Sequence, residues 1–306
     1  MRPTRARFAA GLALALLASA GGPGGSAPTR APHGDVLLDR SWDDGKAEFS
    51  IYTGVTPRYG QPRATETRLI VVKEDLFRDA LVKSERGPIP GRTLEAIKLN
   101  MVADFQTGTY TYHQMASVFF DRATMDVLKE SKSHTESCGI TFVRVGPVRR
   151  RWMHEAHSYW EGEADRVVPV AWPRDGRPRL LWDGLPVSLR RWVSAGGEHP
   201  IEAWLLPSQV SGRSPIQNTR PVLARIAVEA PSPRTVAAGR FEARKVTVTA
   251  GRDADVFWFE SRFPYRLLAL ETSWGRKLEL RRTLRLDYWN HHMNGDERVL
   301  SEAEPR

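Results

Sequence analysis

The feature that most constrains the fold is a run of short β-rich segments in the last third of the 306-residue chain. From residue 222 onward the chain passes through LARIAVEA, FEARKVTVTA, DVFWFESR, YRLLALETSW and KLELRRTLRLDYW, joined by short turns that contain Pro or Gly. In the last segment the leucines share one parity, and Glu279, Arg281 and Arg285 share the other. Antiparallel strands with one solvated face alternate in this way. The pattern predicts an antiparallel meander over 222–288, curved into a half-barrel or barrel-like sheet.

Strand patterns also occur in the first half of the chain. Residues 46–55 and 65–73 are rich in β-branched and aromatic residues and flank a turn. The stretch 98–121 predicts two strands around the turn at 106–108, and 139–146 predicts a further strand. The fold class is therefore mainly β, with curved antiparallel sheets.

Helical patterns are few and short. Residues 74–83 predict one short helix, and 183–193, which begins with a capping Asp, predicts another. We thus expect a β-rich domain over 35–290 with one or two short helices. Two sheets or sub-domains, 35–180 and 181–290, are the alternative arrangement of the same strands.

The first 20 residues have the pattern of a secretory signal peptide. Three arginines precede the apolar run Phe8–Leu17, and Ala18-Ser19-Ala20 supplies the small residues that signal peptidase requires. About ten apolar residues are too few to span a bilayer core of roughly 30 Å. We expect residues 1–20 to be removed and the chain to be exported to the periplasm or the extracellular space, with no transmembrane span in the mature chain. Residues 21–34 predict a flexible leader and 291–306 a tail.

The charge of the mature chain limits the classes of partner. Its formal net charge falls by three, from +9 to +6, because the three arginines of the signal peptide are lost. The densest basic patches are 149–151 and 276–285, and in the second the arginines mostly alternate with apolar residues, as on the solvated face of a strand. We expect no nucleic-acid partner. A lipid or another envelope component suits a basic exported protein better.

The stretch HEAHSYWEGEAD at 154–165 has two histidines three residues apart among carboxylates. On a strand His154 and His157 would point to opposite faces and could not share a metal ion, whereas on a helix they would share a face. Neighbouring aromatic residues at 152, 159 and 160 favour the strand. The H-E-x-x-H spacing of zinc hydrolases is absent from the sequence. We therefore predict no metal site and no cofactor.

The remaining chemical candidates are sparse. Cys138 is the single cysteine, so no internal disulfide can form, and His134 lies four residues before it. A nucleophilic thiol needs such a base, but a Cys leading into an apolar strand is typical of core. No G-x-S-x-G elbow, phosphate loop or dinucleotide fingerprint is present in the sequence. We predict no catalytic residue and retain Cys138, His154, Trp160 and Glu161 as candidate ligand-binding residues.

Several segments carry a resemblance to known proteins. SWDDGKAEFSIY, RYGQPR, KLNMVADFQTGTYTY, SCGITF and YWEGEAD resemble an uncharacterised bacterial family of exported β-rich proteins. AGRFEARKVTV, DVFWFESRFPYRLLALE and GRKLEL resemble a domain of unknown function found in periplasmic proteins. Members are sometimes labelled septum formation inhibitor Maf, but true Maf proteins are cytoplasmic nucleotide pyrophosphatases, and the export signal argues against that label. The C-terminal half is more distantly similar to the half-barrel of lipoprotein carriers, in which a curved sheet cradles acyl chains.

Three functions are consistent with these observations. The first is an exported envelope protein without enzymatic activity that binds an apolar ligand or a partner on its curved sheet. The second is an envelope hydrolase with His154, Glu161 or Cys138 near its centre. The third is a purely structural assembly protein. An open apolar concave face would support the first, and convergence of His, Cys and carboxylate side chains in one pocket would support the second.

Overall fold

The computed structural model describes residues 36–197, 199–210 and 219–301. The predicted signal peptide and leader lie outside these residues. Sixteen strands are described, and together they form a single sheet. The strands are β1 (Ala47–Arg58), β2 (Gln61–Phe77), β3 (Thr93–Thr107), β4 (Tyr110–Asp121), β5 (Val127–Glu136), β6 (Gly139–Val148), β7 (Arg151–Ser158), β8 (Arg166–Pro169), β9 (Arg179–Leu181), β10 (Ile201–Leu206), β11 (Val222–Val228), β12 (Ser232–Val236), β13 (Gly239–Ala250), β14 (Asp253–Glu260), β15 (Leu267–Glu271) and β16 (Lys277–Leu286).

The spatial order of the strands joins the two halves of the chain. It runs β8-β7-β6-β5-β4-β3-β2-β1-β16-β15-β14-β13-β11-β10-β9, and β12 pairs with β13 beside this path. All neighbours are antiparallel except β9 and β10, which are parallel. The seam is the pair β1–β16, where Phe49 lies opposite Leu284. The stretches 35–180 and 181–290 therefore contribute to one sheet. The sheet is curved enough that β9, at one end of the order, packs against β5.

The concave side of the sheet is filled by a short helical segment. It comprises a 3₁₀ turn (Trp182–Gly184), α1 (Leu185–Ser188) and α2 (Arg190–Ala195), which we call the central helices. Their side chains are buried almost all round, as is typical of a helix enclosed in a core. α2 ends at Gly196, which adopts the left-handed conformation (φ 70°) common after a helix. An added Cβ on Gly184 would lie 2.9 Å from the ring of Phe120, so the segment packs tightly on β4.

The predicted fold class is confirmed: the protein is mainly β with a curved antiparallel sheet, and the predicted helix at 183–193 is present in the central helices. The predicted helix at 74–83 is wrong, because β2 continues to Phe77 in register with Thr93 of β3 and buries Leu76 completely. Pairing with a long neighbouring strand outweighs the local helical pattern there.

Two further details differ from the sequence pattern. Residues 222–288 contain six strands rather than five, because β12 pairs with the start of β13 while β11 pairs with its end. The C-terminal tail is structured up to residue 301: a 3₁₀ helix spans Asp296–Leu300, and its Val299 and Leu300 pack on a small apolar cluster that contains Phe49. Within the described ranges, the helices lack either the length or the apolarity needed to cross a membrane.

Candidate functional site

Strand β5 differs from an ordinary core strand because its buried positions hold ionisable residues instead of apolar ones. Glu130, Lys132, His134 and Glu136 occupy alternate positions, and all four are buried, whereas the intervening Ser and Thr side chains are more exposed. Residues of one parity on a strand face the same side of the sheet. β5 therefore directs four ionisable side chains toward the interior. We call these four residues, together with Gln114 and Asp183, the polar interior.

The neighbouring strands place small residues beside these side chains. Lys132 lies opposite Ala116 of β4 on one side and Val143 of β6 on the other, and Ala156 of β7 follows Val143 in the same row. Ala116 and Ala156 are buried and end at Cβ. The long side chain of Lys132 thus extends into the interior from a row of short neighbours.

Asp183 lies where the central helices begin, and its carboxylate is held in place. One oxygen accepts a hydrogen bond of 2.7 Å from Ser208 Oγ, and the other accepts one of 2.7 Å from the backbone N–H of Gln209. Burial raises the pKa of Glu130 well above its ordinary value, and the charge and hydrogen bonding of Asp183 raise it further. Both influences favour the protonated form of Glu130, which can donate a hydrogen bond.

Lys132 has no hydrogen-bond or ion-pair partner in the described part of the chain, although its side chain is buried. Burial lowers its pKa to about 8, against the opposing influence of Asp183 and Glu130. Burial also lowers the pKa of His134 to about 4, and the cations Lys132 and Arg58 lower it further. His134 is neutral at pH 7, and its Nδ1 lies 3.0 Å from Nε2 of Gln114, which can donate to it.

Arg276 is a second buried cation, and it lies between β15 and β16. It is fully buried, and burial lowers its pKa to about 10. Its Nη2 donates to Thr67 Oγ1 at 3.3 Å, and its Nη1 lies 3.9 Å from the sulfur of Met101. No carboxylate within the described ranges forms an ion pair with it. The sequence pattern placed Arg276 in a solvated patch; for this residue that expectation is wrong, because the side chain turns into the interior.

An aromatic cluster borders the polar interior at the β1–β2 hairpin. Tyr112 of β4 is buried and stacks on Phe105 at 4.9 Å between ring centroids, and the edge of its ring meets His134 at 5.0 Å. Its hydroxyl lies 2.6 Å from that of Tyr59 and accepts a hydrogen bond from Arg58. Tyr59 adopts φ 54°, which is uncommon for a bulky residue and allows its ring to fold toward Tyr112.

The structure separates the four candidates drawn from the sequence. His154 is fully buried in the interior row of Glu130, and its Nε2 lies 3.0 Å from Gln209 Oε1. Cys138 is exposed at the β5–β6 hairpin, and Trp160 and Glu161 are exposed in the turn after β7. Partial desolvation and the nearby Glu136 raise the pKa of the Cys138 thiol. The interior histidine is thus not brought together with the three surface residues.

The prediction that 150–160 is a strand with its histidines on opposite faces is confirmed. β7 spans Arg151–Ser158, with His154 inward and His157 outward. Nδ1 of the exposed His157 lies 2.8 Å from Asp165 Oδ1. Across the described residues, no group of three or more His, Cys, Asp or Glu side chains is arranged to hold a metal ion.

Sequence reasoning missed most of the polar interior. It assigned no strand between residues 121 and 139, because a search for apolar alternation passes over a strand whose inward residues are charged. The signal that would have found β5 is the string E-S-K-S-H-T-E at 130–136, in which ionisable residues alternate strictly with Ser and Thr. That string has the period of a strand.

Comparisons with known proteins add little to this description. No protein-family model matches the chain, and no curated protein matches it. Among solved structures, the chain is similar to a beta-barrel-like protein of the domain of unknown function DUF1849 from Brucella abortus. The identity is 8%, the TM-score is 0.48, and the match covers 79% of this chain and 98% of that chain. A likeness at this level carries no argument about function.

Proposed function

We propose that the protein is an exported, non-enzymatic binding protein of the cell envelope that holds a small polar ligand in the polar interior. The observation that carries the proposal is the row of four buried ionisable side chains on β5. Burying charged groups is unfavourable unless they are paired, so a sheet that needed only a core would be more stable with apolar residues there. A bound ligand would supply the missing partners.

Unsatisfied groups on the described residues support this proposal. Lys132 and Arg276 have no carboxylate partner there, and both carboxylate oxygens of Glu136 are buried without a hydrogen bond. Well-packed proteins leave few such groups, and functional sites are a common reason for the exceptions. Glu130 Oε1 is also buried without a hydrogen bond, so three of the four inward positions of β5 (130, 132 and 136) carry an unsatisfied group.

The proposal differs from the apolar ligand expected from the alternation of 222–288. The inward apolar residues of these strands share one core cluster with the central helices, and the ring centroid of Phe257 in β14 lies 6.1 Å from that of Trp182. This apolar face is therefore covered by the protein's own helices, so we assign the ligand to the polar side chains of β5. The export part of the proposal rests on the signal-peptide pattern of residues 1–20.

Native mass spectrometry of protein purified from the envelope of its own host tests the proposal. We expect the wild-type protein to carry a small molecule and the Ala116→Leu variant to lose it, because the larger side chain enters the interior beside Lys132. Ala254→Leu, an exposed alanine on β14, is the matched control and should retain the molecule.

If Ala116→Leu does not fold, as judged by circular dichroism, the smaller Ala116→Val takes its place. A wild-type protein that carries no small molecule would contradict the proposal. So would a folded interior variant that retains as much of the molecule as Ala254→Leu does.

A further inference from the structure

Two buried cations, Lys132 and Arg276, lie near the two ends of one row of inward side chains. Met101 of β3, Ala116 of β4 and Lys132 of β5 are lateral neighbours in one row. Neighbouring strands lie about 4.8 Å apart, so the outer two residues of this row are separated by about 10 Å along the sheet. Arg276, just before β16, reaches the Met101 end of this row, where its Nη1 lies 3.9 Å from the sulfur of Met101. Ala116, between them, ends at Cβ.

The guanidinium of Arg276 is poorly satisfied by its present contacts. A guanidinium offers a planar fork of donors that matches the two oxygens of a carboxylate or a phosphate. In this protein the fork meets one hydroxyl at 3.3 Å and one thioether sulfur at 3.9 Å, and its carbon lies 5.9 Å from the centroid of the Trp274 ring. The buried Nε has no hydrogen-bond partner among the described atoms. These are weak contacts for a charge that is completely removed from water.

The other ionisable groups do not neutralise the two cations. The charge of Asp183 raises the pKa of both cations, yet its oxygens accept hydrogen bonds from Ser208 and Gln209, and it forms no ion pair within the described residues. Burial and Asp183 raise the pKa of Glu130, which disfavours its charged form, and His134 is neutral at pH 7. Two further charges act on Lys132: the anion Glu163 raises its pKa, and the cation Arg58 lowers it. Neither Lys132 nor Arg276 therefore has an ion-pair partner among the described residues.

Resting on the binding function proposed above, we infer that the ligand carries an oxyanion, a carboxylate or a phosphate, that binds over Ala116 between Lys132 and Arg276. The fork of Arg276 would hold two of its oxygens, and the ammonium of Lys132 would donate to the same group from the opposite side. When protonated, Glu130 can donate a further hydrogen bond to a ligand oxygen. A neutral polar ligand would leave both cations unpaired.

Calorimetric titration of the purified protein with inorganic phosphate and, separately, with butyrate tests the inference and distinguishes the two sources of the oxyanion. We expect saturable binding of at least one probe, weakened by about tenfold or more in Lys132→Met and in Arg276→Met, because each loses a charge-assisted hydrogen bond. Arg276→Lys, which keeps the charge without the fork, should bind more weakly than wild type. Lys277→Met and Arg281→Met, exposed cations of β16, should bind as wild type does.

Two outcomes would overturn the inference that the ligand carries an oxyanion, and host-purified protein then shows whether the proposed binding function fails too. The first is that neither probe binds. The second is that the folded Lys132→Met and Arg276→Met variants bind the probes as tightly as the surface controls do. If the host-purified protein nevertheless carries a molecule that Ala116→Leu loses and Arg276→Met keeps, the ligand is neutral and only the oxyanion assignment fails. If no molecule is carried and neither probe binds, the binding function fails as well.

Discussion

Arg190 of α2 binds both carboxylate oxygens of Glu48 in β1, at 3.1 Å from Nη1 to Oε2 and 2.6 Å from Nη2 to Oε1. Both side chains are buried, and Nε of Arg190 donates to the carbonyl of Pro186. The pair attaches the central helices to the strand that forms the seam with β16. A buried arginine with a structural role is satisfied in this protein by two parallel charge-assisted bonds. Arg276 lacks such a partner among the described residues, and we therefore assign it a different role.

Removing one member of the Glu48–Arg190 pair should destabilise the protein strongly. In Glu48→Ala the guanidinium of Arg190 stays buried without its carboxylate, and we expect a loss of about 3–5 kcal/mol in the free energy of unfolding. Urea denaturation measures this loss. Glu271→Ala, which breaks the exposed ion pair with Lys277, is the control and should cost about 1 kcal/mol or less. A loss for Glu48→Ala no greater than that of the control would show that the pair does not anchor the helices.

Replacing Arg276 should have the opposite effect on stability. Arg276→Met removes a fully buried charge that has no carboxylate partner in the described structure and keeps a long apolar side chain in its place. We expect the ligand-free variant to be as stable as the wild type or more stable by about 1–2 kcal/mol, while ligand binding is lost. Thermal unfolding of both proteins in buffer without phosphate or carboxylates measures the difference. A marked loss of stability in Arg276→Met would indicate a structural role for the guanidinium.

His134 should make the stability of the fold depend on pH in mildly acidic solution. Its pKa is lowered from 6.5 in the unfolded chain to about 4 in the folded protein. Between these values the unfolded state binds more protons, so stability falls as the pH is lowered from 6.5 to 4. His134→Gln keeps an acceptor for Gln114 but has no group that titrates in this window. Between pH 6.5 and 4 its free energy of unfolding should therefore fall by on the order of 2 kcal/mol less than that of the wild type.

Chemical denaturation at pH 7, 5.5 and 4 tests this pH dependence. His157→Gln removes an exposed histidine from the outer face of β7 and serves as the matched control. Parallel pH profiles for the wild type and His134→Gln would contradict the assignment of His134 as a buried neutral histidine.

Gly54 should be required at the β1–β16 seam for steric reasons. An added Cβ at this position would lie 1.9 Å from the backbone carbonyl oxygen of Lys277, and backbone atoms cannot move aside without separating the strands. We expect Gly54→Ala to destabilise the fold by about 2–3 kcal/mol or more, measured by urea denaturation. Gly197→Ala, where the nearest atom is 3.9 Å from the added Cβ, should be close to neutral. Equal stability of the two variants would mean that the strands at the seam can adjust.

Local patterns predicted much of the secondary structure from sequence alone. The alternation of leucines and charged residues in β16, the short helix within 183–193 and the opposite faces of His154 and His157 all follow from the periods of strands and helices. The predicted cap of that helix by Asp183 is wrong, because the carboxylate binds Ser208 and Gln209 instead. These periods are properties of a single segment and need no knowledge of its neighbours. They therefore established the mainly β class and the parity of each recognised strand.

The tertiary structure alone decided which face of each strand became the interior. The alternation in β5 predicts that Glu130, Lys132 and His134 share a face. The same string fits a solvated face equally well, because only the curvature of the sheet encloses these side chains. The seam joins residues more than 200 positions apart, and strand register sets Lys132 beside Ala116 while Arg276 reaches Met101. These relationships depend on long-range pairing and on burial of the common core. A segment's own period carries no information about either.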